Sequence, residues 1–316
     1  MLMFKPVGRI LTALVAVLAA GTVAAQTIRP EAVQVAPDSY MVQGLSAMGS
    51  GANRNFISNA GFVVTKDGVL VIDALGSPAL ARELLAEIRR ITPAPVRYVV
   101  LTHYHADHIY GLQAFKDAGA TVIAHQAGRE YLNSETAALR LQTSRAELAP
   151  AVDAQTRLVP ADRWIDGRTT LQLGGLDFVL QPAGPAHTPE DLVVWVPQLK
   201  LLFAGDLVFR GRIPFVGQAD SGRWITALDT LLAFDARIIV PGHGPASASA
   251  RADLELTRDY LAYLRKTMGE AARNMDPFEE AYARTDWSRF DKLPLFNAAN
   301  RINAYNTYLL MEQAAK

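Results

Sequence analysis

The chain has 316 residues, of which 50% are hydrophobic and 20% are charged, and its 31 Lys plus Arg balance its 31 Asp plus Glu. The apolar fraction is ample for a large core and excludes intrinsic disorder as the main state of the chain. The formal net charge of zero argues against a nucleic-acid-binding protein. The chain has no cysteine, so disulfides, a cysteine nucleophile, iron–sulfur clusters and thiolate-bound zinc are excluded. Any bound metal must therefore be held by nitrogen and oxygen atoms.

The amino-terminal segment has the three parts of a secretory signal peptide. Lys5 and Arg9 precede an apolar stretch at residues 10–20, and small residues follow at 23–25. The stretch is about half as long as the ~20 residues that a membrane-spanning helix needs. We therefore predict that residues 1–25 are a signal peptide and that the mature protein is periplasmic or secreted, without stable insertion in a membrane after cleavage.

The first part of the mature chain begins with patterns for a hairpin and a helix. Two β-branched runs at 59–64 and 68–73 are separated by a turn signal at 66–68, which predicts an antiparallel pair. Ser77 followed by Pro78 predicts a helix start, because serine suits the N-cap and proline the first helical position.

Alternating strand and helix patterns continue along the chain. A nearly continuous apolar run at 96–102 predicts a strand covered on both faces, and a second run at 121–124 follows a short helix that ends near Gly119. Further along the chain the patterns predict strands at 177–181, 192–196, 201–204 and 237–240, a helix at 224–233, and helices from about residue 251 onward. This order predicts an α/β fold in which helices cover sheets.

Three of the six histidines fall within the string His103-Tyr104-His105-Ala106-Asp107-His108, directly after a predicted buried strand. Because side chains of an extended chain alternate, His103 and His105 point the same way and can share one metal ion. Asp107 and His108 stand where a helix can begin, since aspartate is a good N-cap. They are therefore directed at a second point nearby.

Three more candidate ligands lie in loops that follow predicted strands or turn signals, namely His187, Asp206 and His243. Binding groups gather on such loops because the strands hold them rigidly. A single loop histidine is more often a surface or capping residue, but five histidines and two aspartates in this order indicate a metal site. His125 has no partner in the sequence, and we interpret it as a hydrogen-bonded residue at a strand end.

Seven nitrogen and oxygen ligands are more than the four that one zinc ion takes, and they suit two ions that share a carboxylate and a water. The simplest partition assigns His103, His105 and His187 to the first ion, Asp107, His108 and His243 to the second, and Asp206 to both. Water between two such ions becomes a hydroxide near neutral pH and attacks a carbonyl or phosphoryl centre. Asp107 is also the candidate catalytic residue, since its carboxylate can orient the attacking water.

The string His-x-His-x-Asp-His, followed in order by His187, Asp206 and His243, resembles the metallo-β-lactamase-fold hydrolases. All seven ligand positions of the dinuclear members are matched. The resemblance covers about residues 33–245. It implies an αββα four-layer sandwich with the metals at one edge of the two sheets, and a cofactor of two Zn²⁺ per chain, with iron as the other possibility.

The same resemblance implies the domain organisation. Residues 26–250 would form the metallo-β-lactamase-fold domain, and residues 251–316 would form a C-terminal helical extension packed on the same domain. Asp73, at the end of its predicted strand, is similar to the structural aspartate that the family places beneath the site.

Differences within the family bear on the substrate. Residues 184–197 are similar to the matching stretch of the B1 and B2 β-lactamases, but B1 enzymes have cysteine in place of Asp206, usually a lysine in place of Phe209, and arginine in place of His108. That lysine grips the antibiotic carboxylate, so its absence argues against efficient β-lactam hydrolysis. The aspartate is similar to glyoxalase II, lactonases and persulfide dioxygenases. With the signal peptide and the helical tail, the chain most resembles the exported quinoprotein relay system zinc metallohydrolases.

The leading hypothesis is an exported dinuclear zinc hydrolase that acts on a small-molecule ester, lactone or amide. Three alternatives stay open: a β-lactamase, a mononuclear iron enzyme of the persulfide dioxygenase type with iron on His103, His187 and Asp206, and a metal-binding accessory protein for a periplasmic oxidoreductase. Residues 44–55 and 209–224 are ordinary solvent loops or pocket loops, and the sequence does not choose between these. Arg210 and Arg212 lie in the second of them.

Overall fold

The computed structural model describes residues 28–217 and 219–314. The predicted signal peptide at 1–25 lies outside the described residues. Crossing a bilayer takes a long apolar helix, and none of the helices that the structure describes has that character.

The first sheet has seven strands in the order in which they follow along the chain. They are β1 (Ala32–Ala36), β2 (Ser39–Val42), β3 (Ala60–Thr65), β4 (Gly68–Ile72), β5 (Val96–Val100), β6 (Thr121–His125) and β7 (Arg163–Ile165). Neighbours are antiparallel from β1 to β4 and parallel from β4 to β7. The predicted hairpin is confirmed as β3 and β4, in which Val64 pairs with Val69.

The second sheet has five strands in the order β12-β11-β10-β9-β8. They are β8 (Thr169–Leu173), β9 (Leu176–Pro182), β10 (Leu192–Val196), β11 (Leu201–Phe209) and β12 (Ile238–His243). The four strands predicted for this half are confirmed as β9 to β12. β11 runs five residues beyond the predicted end at 204 and is buried throughout, so Asp206 lies within a strand rather than in a loop.

Helices flank the sheets and form the carboxyl-terminal end of the described chain. They are α1 (Pro78–Ile91), α2 (Ala106–Ile109), α3 (Leu112–Asp117), α4 (Gly128–Leu132), α5 (Glu135–Glu147), α6 (Ser221–Leu231), α7 (Ala250–Arg273), α8 (Phe278–Arg284) and α9 (Phe296–Ala314). The predicted start of α1 is confirmed, since Ser77 is the N-cap and its side chain accepts a hydrogen bond from the Leu80 amide.

Three apolar clusters lie between four layers, which confirms the αββα sandwich. The cluster between the sheets includes Leu70, Val100, Phe178, Val194 and Phe203. A second cluster packs the other face of the first sheet against α1 and α3, and a third packs the second sheet against α6, α7 and α9. Each fully buried aliphatic or Phe side chain in such clusters contributes about 1.5–3 kcal/mol.

Burial along single strands explains their sequences. In β4, Val69 and Val71 join the cluster under the helices while Leu70 and Ile72 join the cluster between the sheets, so every position is apolar. The run at 96–102 was predicted to be covered on both faces, and this is wrong for its first half. Only the last two residues of β5 are buried, whereas Val96 and Tyr98 are half-buried and Arg97 is exposed.

Candidate metal centre

The histidine string leaves the carboxyl end of β5 and turns into α2. His103 and His105 stand before the helix, and Asp107 lies in its first turn. The expectation that Asp107 is the N-cap is wrong, because the helix begins at Ala106 with His105 as its N-cap residue. No side chain caps this helix, and the Asp107 carboxylate faces His108 instead.

The second half of the molecule brings in one donor from each of three positions. His187 precedes β10, Asp206 lies in β11, and His243 is the last residue of β12, so the predicted loop position is confirmed for His187 and wrong for Asp206 and His243. β11 and β12 are parallel, and their register shifts between Gly205 and Phe209, so Asp206 sits at an irregularity in the ladder. Gly242 makes room for it, since a Cβ at this position would lie 1.9 Å from Asp206 Oδ1.

A first set of donor atoms combines the string with His187 and Asp206. One ligand atom from each of His103, His105, His187 and Asp206 lies within 4.8 Å of the others. His187 Nε2 is 3.0 Å from His105 Nδ1 and 3.4 Å from Asp206 Oδ2. His103 Nε2 is 3.8 Å from the same Asp206 oxygen.

A second set combines Asp107, His108 and His243, whose ligand atoms also lie within 4.8 Å of one another. Asp107 Oδ2 is 3.6 Å from His108 Nε2 and 3.4 Å from His243 Nε2. Asp206 reaches this set too, with Oδ1 3.2 Å from His108 Nε2 and Oδ2 3.2 Å from His243 Nε2. The structure thus brings all seven candidate ligands together, with the Asp206 carboxylate between the two sets.

The donor sets fit metal ions in spacing and in burial. Four donors at about 2.0–2.1 Å from a tetrahedral zinc ion lie about 3.3 Å apart, close to the separations of 3.0–3.8 Å measured here. His103 Nε2, His108 Nε2 and Asp206 Oδ1 are sealed from solvent and have no hydrogen-bond partner in the described part of the chain. Buried polar atoms without a partner cost about 1–3 kcal/mol each, and a bound cation would remove that cost.

Hydrogen bonds behind the histidines fix which ring nitrogen faces the centre. Asp73 Oδ2 lies 2.8 Å from His108 Nδ1, so Nδ1 of His108 donates to Asp73 and Nε2 faces the centre. Asp73 also accepts hydrogen bonds from the amide and the hydroxyl of Thr102, each at 2.8 Å. The Thr102 hydroxyl in turn lies 3.0 Å from His103 Nδ1. Asp73 therefore lies directly beneath the centre and orients two of its histidines.

Two supporting groups, Thr102 and the Ile57 carbonyl, belong to no motif in the sequence, and a third, Glu190, lies in the stretch 184–197 without a role that the sequence indicates. Thr102 is recognisable only as a hydroxyl residue at the end of a buried strand. The backbone carbonyl of Ile57 lies 2.7 Å from His243 Nδ1. Because every residue has such a carbonyl, the amino-acid type at position 57 does not indicate this contact. Glu190 accepts a hydrogen bond from the Tyr104 amide at 3.1 Å and so ties the string to the loop of His187.

The electrostatic environment keeps the first histidines neutral. Burial lowers the pKa of His103 well below its ordinary value, and the charge of neighbouring His108 adds to the effect. Burial also lowers the pKa of His105. For His187, burial and the neighbouring His105 ring lower the pKa to about 3. Metal ligands must be deprotonated, so these rings are in the form that can bind an ion.

His108 behaves differently because it faces carboxylates. Burial acts to lower its pKa, but Asp206, Asp107 and Asp73 outweigh burial and raise the pKa well above the ordinary value. Burial acts to raise the pKa of Asp206, and the histidines around it instead hold that pKa well below the ordinary value. The same concentration of negative charge would attract a metal cation.

His125 lies apart from the donor sets. It ends β6, and its Nδ1 accepts a hydrogen bond from the Ala127 amide at 3.4 Å. This agrees with the interpretation of His125 as a hydrogen-bonded residue at a strand end.

A cationic loop follows Asp206. The guanidinium of Arg212 is buried beside His243, with Nη1 3.3 Å from His243 Nδ1, and lies over the Phe209 ring at 5.6 Å. The Phe209 ring itself stacks on His243 with centroids 5.0 Å apart. Burial lowers the pKa of Arg212, whereas Asp206 and Asp107 act in the opposite direction.

Comparison with known proteins identifies the family to which this fold belongs. Residues 53–243 match the family model of the metallo-beta-lactamase superfamily. The chain is 27% identical over 234 residues to a linear primary-alkylsulfatase from Pseudomonas sp., covering 63% of this chain and 44% of that protein. It is 29% identical over 192 residues to a metallo-beta-lactamase type 2 from Bacillus sp., covering 59% of this chain and 66% of that protein. The chain thus spans less than two thirds of the length of either relative.

A solved structure extends the likeness of the fold. The stereoselective inverting sec-alkylsulfatase from Pseudomonas sp. superposes with a TM-score of 0.70 at 21% identity, covering 89% of this chain and 50% of that one. That coverage exceeds the 191 residues of the family match, so the likeness reaches beyond them. The chain belongs to the metallo-β-lactamase superfamily.

Proposed function

We propose that this chain is an exported hydrolase that holds two zinc ions, one in each donor set, with Asp206 between them. The observation that most strongly supports the proposal is the shared carboxylate, whose oxygens lie 3.2 Å from His108 Nε2 and 3.2 Å from His243 Nε2. Sets of four nitrogen and oxygen donors suit zinc. When bound, two such ions acidify a water and polarise the reacting oxygen of a substrate, which is the chemistry of hydrolysis.

The protein's own residues would keep this centre rigid. Asp73 accepts a hydrogen bond from His108 Nδ1, and the Ile57 carbonyl accepts one from His243 Nδ1. Both rings therefore direct Nε2 at the centre. Thr102 acts likewise on His103 by accepting from its Nδ1. Rings fixed in this way need no reorganisation when charge develops on the substrate.

Asp107 is the proposed catalytic residue in addition to being a ligand. Its side chain is 15% exposed against 4% for Asp206, so it is the carboxylate that an incoming water can reach. Its Oδ2 faces His108 and His243, which leaves Oδ1 to accept a hydrogen bond from the attacking water and to take its proton.

The proposed substrate is a small molecule with a carbonyl-type centre, namely an ester, a lactone or an amide. β-Lactams are a second candidate, supported by the likeness to a metallo-beta-lactamase type 2, although Phe209 stands where the B1 enzymes have lysine. Sulfate esters are a third, supported by the likeness to a linear primary-alkylsulfatase.

One experiment tests the proposal and ranks these substrates. Metal content is measured by plasma mass spectrometry, and hydrolysis is measured with 4-nitrophenyl acetate, a lactone, nitrocefin, 4-nitrophenyl sulfate and a phosphodiester. We expect about two zinc ions per chain and hydrolysis of the ester or lactone that a chelator abolishes and zinc restores. Activity on nitrocefin alone, or on the sulfate ester alone, would instead favour the second or the third candidate.

The same measurements address the remaining alternatives. One iron per chain with oxygen consumption in the presence of a persulfide would favour an iron enzyme with the metal on His103, His187 and Asp206. Bound metal without hydrolysis of any substrate would favour an accessory protein for a periplasmic oxidoreductase. Export is tested by amino-terminal sequencing of protein from the periplasmic fraction, for which we expect a start near residue 26.

A further inference from the structure

His187 differs from the other histidines of the centre in the surroundings of its second ring nitrogen. Its Nε2 faces the other donors and lies 3.0 Å from His105 Nδ1. Its Nδ1 is sealed from solvent and has no hydrogen-bond partner among the residues that the structure describes. The corresponding nitrogen has a partner in His103, His108 and His243. The orientation of the His187 ring must therefore be set by something other than a hydrogen bond to Nδ1.

The backbone around His187 is fixed, but this alone does not orient the ring. The amide and the hydroxyl of Thr188 each donate to the buried Asp191 carboxylate at 2.8 Å. Glu190 ties the same loop to the histidine string through the Tyr104 amide. These bonds hold the loop, yet the imidazole can still turn about its side-chain bonds unless neighbouring groups prevent it.

Two aromatic rings pack against the His187 imidazole. The ring centroids of Trp224 and Phe209 lie 5.0 Å and 5.7 Å from that of His187, and both contacts are T-shaped. Such pairs are favourable because the positive edge of one ring meets the negative face of the other. Phe209 also stacks on His243, so it serves both donor sets. Trp224 is fully buried, and His187 is the candidate ligand whose ring it contacts within the described chain.

Trp224 is itself held in place from β11. Its Nε1 donates to the Leu207 carbonyl at 3.1 Å, and Leu207 directly follows Asp206 in that strand. The helix that carries the indole, α6, begins at Asp220, whose carboxylate accepts hydrogen bonds from two amides of the first turn. An indole fixed at both its ring and its backbone can restrict the rotation of His187.

We propose that Trp224 is a positioning residue that orients His187 by ring packing, in the place where hydrogen bonds orient His103, His108 and His243. The inference rests on the proposed function in that His187 binds the first metal ion. Trp224 does not contact the ion and acts only through His187. Without the indole the imidazole has space to turn, so the first donor set should lose affinity while the second keeps it.

The test measures stepwise zinc binding by competition with a chelator. We expect Trp224→Leu to weaken the binding of one ion about 10- to 100-fold, as other partners behind metal ligands do, and to leave the other ion unchanged. Cadmium NMR of the cadmium-loaded protein identifies the affected set. The resonance that changes in Trp224→Leu should be the one that His187→Ala also changes.

Trp195→Leu is the matched control. Trp195 is also a buried tryptophan of the second half and belongs to the same apolar cluster, but it stacks on Phe234 at 5.6 Å. Its replacement removes the same volume and should leave both zinc affinities at the wild-type values, even where it lowers the free energy of unfolding. Trp224→Phe keeps a ring without the N–H donor, so we expect an intermediate affinity, and this variant decides the test if Trp224→Leu fails to fold.

A double-mutant cycle tests whether Trp224 acts through His187. In the His187→Ala background, Trp224→Leu should have no further effect on zinc affinity, because the ring that it orients is absent. Losses that add in the double variant would contradict the positioning role.

The outcomes separate this inference from the hydrolase proposal. Unchanged zinc affinity in Trp224→Leu, equal weakening of both ions, or a similar loss in Trp195→Leu would overturn the positioning role and leave the hydrolase standing. Selective loss of the first ion in a protein that hydrolyses no substrate would support the positioning role and remove the hydrolase.

Discussion

The two halves of the molecule supply the candidate ligands in different ways. The first half provides four of them in one string, His103 to His108, where a strand end and a helix start set the geometry locally. The second half provides His187, Asp206 and His243 from separate positions, and the parallel pairing of β11 and β12 brings Asp206 and His243 together. Each donor set takes two residues from the string and one from the second half, and Asp206 joins both. The string therefore makes the centre recognisable, and the second half completes both donor sets.

Removing Asp206 breaks the link between the halves and should have the largest effect. We expect Asp206→Ala to lower hydrolytic activity about 10³-fold or more, since the metals supply several kcal/mol of charge stabilisation, and to reduce the content of both ions. Asp229→Ala removes an exposed carboxylate of the same half and should change neither quantity. Full metal content in Asp206→Ala would contradict the shared role of this carboxylate.

A variant of Asp107 tests whether this residue of the string has a catalytic role in addition to binding metal. Asp107→Asn keeps an oxygen that can ligate but loses the proton acceptor, so we expect kcat to fall about 10²- to 10⁴-fold. Zinc content should fall less than in Asp206→Ala. Steady-state kinetics with parallel metal analysis gives both values, and an unchanged kcat would show that Asp107 is a ligand alone.

Asp73 tests whether the two sets can be weakened separately. Asp73→Asn should weaken binding of the ion on Asp107, His108 and His243 about 10- to 100-fold and of the other ion less, because Asp73 contacts His108 directly and reaches His103 only through Thr102. Asp67→Asn, an exposed residue in the turn of the same hairpin, is the matched control. Stepwise competition with a chelator resolves the two ions, and equal weakening of both would show that the sets do not act independently.

Much of the fold and of the donor arrangement could be predicted from the sequence because strong local patterns encode them. Val69 to Ile72 form a continuous apolar run typical of a strand buried on both faces, and the histidine string stands between a strand end and a helix start. The three-residue β7 and the half-exposed β8 were missed, because a short rim strand needs few apolar residues. The prediction that Asp107 is the N-cap of α2 is wrong. The Asp107 carboxylate instead faces His108 and His243, and helix-capping preference does not include the attraction to a residue as distant in sequence as His243.

Contacts between distant residues could not be predicted in the same way. The Ile57 carbonyl that orients His243 is a backbone group, and any residue type would provide it. Gly242 lies in β12, and its closeness to Asp206 depends on the pairing of β11 with β12. Arg210 and Arg212 look alike in the sequence, and only packing separates Arg210, which pairs with Asp253, from the buried Arg212.

The smallest expected effect concerns acid stability of the metal-free protein. The pKa of His187 falls to about 3 on folding, first because of burial, whereas in the unfolded chain it is about 6.5. The folded state thus binds fewer protons between these values, and the free energy of unfolding decreases as the pH drops below about 6.5. His187→Gln should show a shallower decrease in urea denaturation between pH 7.5 and pH 5. An unchanged slope would contradict this origin of the pH dependence.

The central claim is that the two halves hold two zinc ions with Asp206 between them. Anomalous diffraction at the zinc edge from crystals of the zinc-loaded protein tests it most directly. The account predicts two peaks about 3.5–4 Å apart, one beside His103, His105 and His187 and the other beside Asp107, His108 and His243, with the Asp206 carboxylate contacting both. A single peak confined to the first set, or a peak at the iron edge instead, would contradict it.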